Sequence, residues 1–145
     1  MAISSAVCNS FKQEILVATH NFTASSGNTF KIALYTSSAS LGAGTTAYSS
    51  SNEISNTAGS AYSAGGATLT SVTPTLSSST AVCDFADVSY TSASFTANGA
   101  LIYNDDQSDK AVAVIAFGGD KTVSSGTFTI QFPTADASNA IIRIA

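Results

Sequence analysis

Two apolar runs, residues 100–103 (Ala-Leu-Ile-Tyr) and 111–117 (Ala-Val-Ala-Val-Ile-Ala-Phe), flank a short polar segment carrying Asp105, Asp106 and Asp109. Apolar runs of this length, bounded by Asn, Asp and Gly, read as paired strands that cross a core and are joined by an exposed loop. Val112, Val114 and Ile115 are β-branched, and their stiff side chains suit a pleated surface better than a helix. The stretch predicts the central hairpin of an all-β domain. No catalytic motif lies on it.

The rest of the composition is compatible with that hairpin. A chain of 145 residues can bury one good core without covalent staples, so one domain spanning 1–145 is expected. Hydrophobic residues make up 44% and charged residues only 10%, which is not the low-hydrophobicity, high-charge balance of a disordered chain. Ser and Thr together supply about 30% of the residues, so hydroxyls cover much of the surface. Such a surface loses few full charges when it is buried against a partner, which favours assembly. The net charge is −4 and the five basic residues are scattered singly, leaving no basic patch for phosphates; no nucleic-acid partner is expected. No run reaches the roughly 18 apolar residues of a membrane span, and the N-terminus shows no secretory signal.

Along the chain, residues 3–20 have a helical period. Ile3, Val7, Phe11, Ile15, Ala18 and Phe22 share one face, with Asn9, Gln13 and His20 opposite. Ser4 or Ser5 is the expected N-cap and Asn21 the C-terminal residue. The apolar face is expected to pack on the sheet, or else on a neighbouring subunit. Residues 29–35 alternate as a half-buried strand, with Phe30, Ile32 and Leu34 on its core face. Residues 36–66 form a long Ser/Gly-rich excursion, tacked down by Leu41, Tyr48, Ile54 and Tyr62, with at most one short strand near 47–54. It is a candidate contact surface. Residues 67–76 are a strand that Pro74 confines to an edge or a bend. Residues 80–88 follow, with Ala81, Cys83 and Phe85 on one side. Gly118 to Lys121 and Gly126 read as turns around the strand 127–132, and 140–144 is a last strand with Ile142 and Ile144 inward. Strands without alternating helices predict two antiparallel sheets face to face, in a β-sandwich or jelly roll with one N-terminal α-helix.

The residues that bear chemistry give weak signals. Asn104, Asp105, Asp106 and Asp109 offer oxygen ligands, but their spacing is not that of an EF-hand; a solvated turn is the expected role, and no metal site is assigned. Asp84 and Asp87 are a possible carboxylate pair for glycoside hydrolysis, yet their odd spacing in a strand turns them to opposite faces. His20 lacks the Gly-x-Ser-x-Gly context of a serine hydrolase and is expected to complement a helix C-terminus as a cation. Asn21-Phe22-Thr23 matches the N-glycosylation pattern, and Gly65-Gly66 and Gly118-Gly119 are turn glycines without a phosphate loop's Lys. Cys8 and Cys83 read as two buried free thiols, with a disulfide between them as the alternative. No catalytic residue and no cofactor is assigned, so the chain is expected not to be an enzyme.

Several segments together carry a resemblance: Cys8-Asn-Ser-Phe-Lys-Gln-Glu-Ile-Leu16, Asn28-Thr-Phe-Lys-Ile-Ala-Leu-Tyr-Thr-Ser37, Gly65-Gly-Ala-Thr-Leu69, Asp84-Phe-Ala-Asp87, Ala100-Leu-Ile-Tyr-Asn104 and Phe132-Pro-Thr-Ala-Asp-Ala-Ser-Asn-Ala-Ile-Ile-Arg143. Over nearly its whole length the chain resembles small structural proteins of tailed-bacteriophage virions, and in size and composition it looks like capsid cement (decoration) proteins. The resemblance implies a non-enzymatic protein on the outer surface of the capsid. Its partners would be copies of itself, as homodimer or homotrimer, and the major capsid protein. A tail component (fibre, tube-associated or receptor-binding module) is the alternative, and a carbohydrate-binding β-sandwich is a third. For such contacts Tyr35, Tyr48, Tyr62 and Tyr90 are candidate anchors, each an apolar ring with a hydroxyl for a wet rim, together with Ile54.

Overall fold

The computed structural model describes residues 2–55 and 62–145. In chain order its elements are β1 (Ala6–Val7), α1 (Asn9–Leu16), β2 (Phe30–Tyr35), β3 (Ala67–Thr68), β4 (Ser71–Ser77), β5 (Thr80–Phe85), β6 (Val88–Asn104), β7 (Lys110–Ile130) and β8 (Ile142–Ile144). They build a five-stranded sheet, β1-β7-β6-β2-β3, and a three-stranded sheet, β4-β5-β8. All strand pairs are antiparallel. With 49% strand and one short helix the protein is mainly β, two sheets packed as a sandwich, in agreement with the alternation in its sequence.

The central hairpin forms where expected, with Ile102 opposite Ala113 and Asn104 opposite Lys110. It is longer than its apolar runs imply. β6 and β7 stay paired as far as Val88 opposite Ile130, so Gly118 to Lys121 and Gly126 are not turns between strands. The ladder absorbs the extra residues as bulges. Register shifts fall between Ala97 and Gly99 and again between Tyr90 and Phe95, and Gly118 (φ 76°), Gly119 (φ 141°), Ser92 (φ 51°) and Ser125 (φ 47°) take the left-handed backbone that such bulges need. Beyond Val114 the outer edge of β7 has no neighbouring strand among the described residues. Lys121, exposed on this edge strand opposite Ala97, places a charge there that discourages another strand from pairing.

The helix is much shorter than the expected 3–20. Residues before Cys8 are extended: Ile3 bridges Leu41, and β1 pairs with Ala113 and Val114. Cys8, not Ser4 or Ser5, is the N-cap, and the last turn closes on Val17 and a left-handed Ala18 (φ 61°), not at Asn21. The physical reason is that Ile3, Ser5 and Val7 also fit a period of two, and the edge of β7 supplies backbone partners that an isolated helix turn lacks. Ile3 and Val7 still reach the core, as strand residues. Phe11 packs inward as predicted.

β2 is buried on both faces, not half-buried, because the excursion after it folds back over it. In place of a strand near 47–54 there are two isolated bridges, Tyr35 to Glu53 and Ala47 to Lys110. Ile54 N donates to Leu34 O at 2.9 Å, and Ala111 N to Thr46 O at 2.9 Å. Residues 56–61 of the excursion lie outside the described residues. Glu53 clamps the loop to the sheet. Its carboxylate accepts hydrogen bonds from Tyr48 Oη (2.6 Å), from Gly65 N (2.7 Å) and from Tyr62 Oη. Tyr62 Oη in turn accepts from Leu34 N of β2 at 3.0 Å. Tyr103 Oη donates to Gly65 O at 2.6 Å, and its ring stacks on Tyr48 with centroids 4.7 Å apart. Gly66 (φ +80°) lets this loop lie against β2, since a Cβ there would stand 1.9 Å from Ile32 O. Tyr62→Phe leaves the Leu34 amide and one Glu53 oxygen short of a partner, and Glu53→Gln removes the charge that strengthens all three bonds. Each substitution is expected to cost about 1–3 kcal/mol of unfolding free energy in a urea titration.

Candidate functional site

An apolar cleft of about 460 Å³ lies between α1 with the segment after it and the three-stranded sheet. Phe11, Ile15 and Phe22 line one side; Pro74, Cys83 and Ile142 line the other. Behind Phe22 lies an aromatic stack of the core. Phe22 lies on Phe30 with centroids 4.2 Å apart and rings 5° from parallel, and Phe85 tilts against both. Local sequence opens the cleft. Ala81 on β5 has Leu76 of β4 and Ile144 of β8 as its register partners, so a methyl lies between two long side chains. Leu76 is 73% exposed and Ile144 56%. On the opposite wall Leu16 (85% exposed) and Val17 (63%) sit in the chain between the lining residues Ile15 and Ala18. Four large apolar side chains thus face water, and one of them, Ile144, lines the hollow.

The expected anchors are elsewhere. Tyr35, Tyr62, Tyr90 and Ile54 are buried in the core, and Tyr48 is half-buried against it. They are therefore corrected from exposed contact residues to internal fastenings of the excursion. The reason is that this loop carries its own acceptors. Tyr35 Oη donates to Ser49 O at 2.7 Å, and Glu53 serves Tyr48 and Tyr62, so these three hydroxyls need no wet rim. Burial, followed by the Glu53 carboxylate, pushes the Tyr48 phenol up to about 12, which keeps it a donor at neutral pH. Sequence reasoning missed the exposed aliphatic side chains. Its signal was an apolar residue out of phase with its element: Leu16 falls off the stripe of Phe11 and Ile15. Ile144, expected inward with Ile142, is the exposed member of that pair because β8 is an edge strand at the mouth of the cleft. Pro74 does lie on an edge strand, at the bulge between Val72 and Thr75.

The acidic groups act as backbone ties. Asp106 Oδ2 accepts from Thr29 N at 2.6 Å, and Asp105 Oδ1 lies 3.4 Å from Lys31 Nζ. Asp84 Oδ1 accepts from Phe85 N and Asp87 Oδ1 from Phe132 N, so each carboxylate of the supposed pair serves its own strand end. His20 is not an exposed helix cap. It is 5% exposed, its Nδ1 against Asn104 and its Nε2 facing Glu14 at 3.7 Å, and burial lowers its pKa from the ordinary 6.5. The chain turns back after the left-handed Ala18, which brings the ring under the helix.

No protein-family model, curated protein or solved structure matches this chain.

Cys8 and Cys83 are both free thiols, the first buried at the start of α1 and the second half-buried in the cleft wall. Burial pushes each up to about 11, with Glu14 adding to the effect at Cys8 and Asp84 at Cys83. At about pH 8 roughly a thousandth of each is then thiolate. An aromatic disulfide reagent is expected to label both in urea and neither over the same minutes in buffer; rapid labelling of native Cys83 would contradict a closed cleft wall.

Proposed function

We propose that this chain is a non-enzymatic structural protein of a tailed-bacteriophage virion, a capsid cement protein that self-associates and reinforces the shell of the major capsid protein. The observation that carries the reading is the exposed aliphatic surface: Leu16 and Val17 at the end of α1, and Leu76 and Ile144 on either side of Ala81, with Ile144 lining the cleft. It sits on a protein with only 10% charged residues, where burying surface against a neighbour displaces few full charges. The sandwich behind it has a guarded outer edge on β7, so contact through these side chains is favoured over open-ended strand addition. A cement protein acts statically. Each copy bridges its neighbours, and many weak contacts sum through multivalency. The resemblance of the chain to virion structural proteins supports the same reading.

Sedimentation equilibrium tests the surface. The protein is expected to form dimers or trimers at micromolar concentration, and the double substitution Leu16→Asp with Ile144→Asp to raise the dissociation constant at least about tenfold, the loss of one buried apolar cluster. Both side chains are exposed in the single chain, so unchanged urea stability is expected. Electron cryomicroscopy of the particle that carries the protein tests the place. Copies at capsomer junctions across the head are expected, and copies confined to the tail would replace this reading with that of a tail component.

A further inference from the structure

Two obligate backbone donors orient a buried side-chain network and leave it only one arrangement. Asp106 N–H donates to Asn104 Oδ1 (3.1 Å), which places the Asn104 amide nitrogen on the other side. Asn21 N–H donates to Asn28 Oδ1 (2.8 Å), which makes that oxygen an acceptor for Asn104 Nδ2 at 3.1 Å. The second proton of Asn104 Nδ2 points to His20 Nδ1 at 3.0 Å. Nδ1 is therefore the unprotonated nitrogen of the ring, and the imidazole proton sits on Nε2, facing Glu14 Oε1 at 3.7 Å. Asn104 is fully buried, so no water can take over its bonds.

We propose that His20, Asn104 and Asn28 form an acid-sensitive latch, in which a proton taken up at His20 Nδ1 breaks the Asn104 hub and frees the loop after β6 from the segment after α1. The imidazolium has a donor at both nitrogens, so Nδ1–H meets Asn104 Nδ2–H. The Asn104 amide cannot flip to offer its oxygen without abandoning the Asp106 amide and Asn28 Oδ1. The charged groups around the ring are Glu14 on α1 and Lys110 at the start of β7, whose Nζ is 3.0 Å from Glu14 Oε2. From β2 the ring meets Phe30, and from α1 also Phe11, at 4.9 Å between centroids. The carboxylates of the loop are held away, Asp106 on Thr29 N and Asp105 on Lys31. Burial disfavours the charged ring, Glu14 opposes that effect and Lys110 adds to it, with a net lowering. The sign follows: the contribution of His20 to stability is present in full above about pH 6.5 and is lost as the pH falls through the lower folded-state value. The ring also lines the apolar cleft, so loosening reaches the cleft wall. The latch stands whether or not the protein belongs to a virion.

Nitrogen-15 NMR of the intact chain tests the latch. At about pH 7.5 the His20 ring is expected to show a pyridine-like Nδ1 and a protonated Nε2. Across its titration, the Asn21 and Asp106 amides should exchange at least about tenfold faster, after correction for intrinsic rates, while Leu101 and Ile102 hold their protection. A protonated Nδ1 at neutral pH, or unchanged exchange across the titration, overturns the proposal. In His20→Gln the acceleration should disappear; if it persists, the carboxylates of the loop cause it and the latch is wrong. Should that variant fail to fold, the ring tautomer and the exchange of the unaltered chain decide the matter.

Discussion

The larger sheet is built on the antiparallel pairing of β6 with β7, because that ladder runs its length and both neighbours attach to its inner end. β2 pairs with β6 from Asn104 to Gly99, and β1 pairs with β7 at Ala113 and Val114. A one-residue slip would turn Leu101, Ile102, Val112 and Val114 out of register with the core, so burial of these side chains pins the ladder. Farther out the same two strands continue as a bulged ribbon. Each bulge increases the local twist and lets Tyr90, Ala93, Phe95 and Ala97 remain inward despite the extra residues opposite them.

A chain so rich in hydroxyls and so poor in charge gathers many of its buried polar groups at two hubs. Glu53 gathers two phenols and a backbone amide and so binds the excursion to β2. Asn104 gathers a ring nitrogen, an amide oxygen and a backbone amide, joining the helix, the segment after it and the central loop. Both hubs hold irregular backbone against regular sheet, where no ladder is available to do so. Of the two, only the Asn104 hub includes a histidine.

The surface follows from the same arrangement. Because the tyrosines are drawn inward to meet acceptors on the excursion, the large exposed side chains that remain among the described residues are aliphatic: Leu16, Val17, Val72, Leu76 and Ile144. They lie on α1, on the turn after it and on edge strands of the smaller sheet, elements whose outer sides no other described element covers. The exposed aliphatic surface and the cleft are thus a consequence of an asymmetric sandwich, three strands and a short helix on one side of a five-stranded sheet. This geometry is what recommends the surface as a place of contact.

The sequence by itself determined the mainly β character, the central hairpin, the core face of β2 and the edge position of Pro74, because alternation, β-branching and a missing amide act within a few residues of where they are read. It also marked Leu41, Tyr48, Ile54 and Tyr62 as fastenings of the excursion, though not that burial would remove three tyrosines and Ile54 from any contact surface. Tertiary structure alone decided whether residues 3–7 joined the helix or the sheet, since Ile3 and Val7 satisfy both periods and only the free edge of β7 distinguishes them. It decided that Gly118, Gly119 and Gly126 bend a ladder without ending it, for a bulge and a turn use the same residues and differ only in what lies across from them. It also decided the state of His20, whose burial and single acceptor nitrogen depend on Asn104, a residue brought to it from the far end of β6. Local chemistry is written in the order of the residues; which polar groups meet is settled by the chain's return across the sheet.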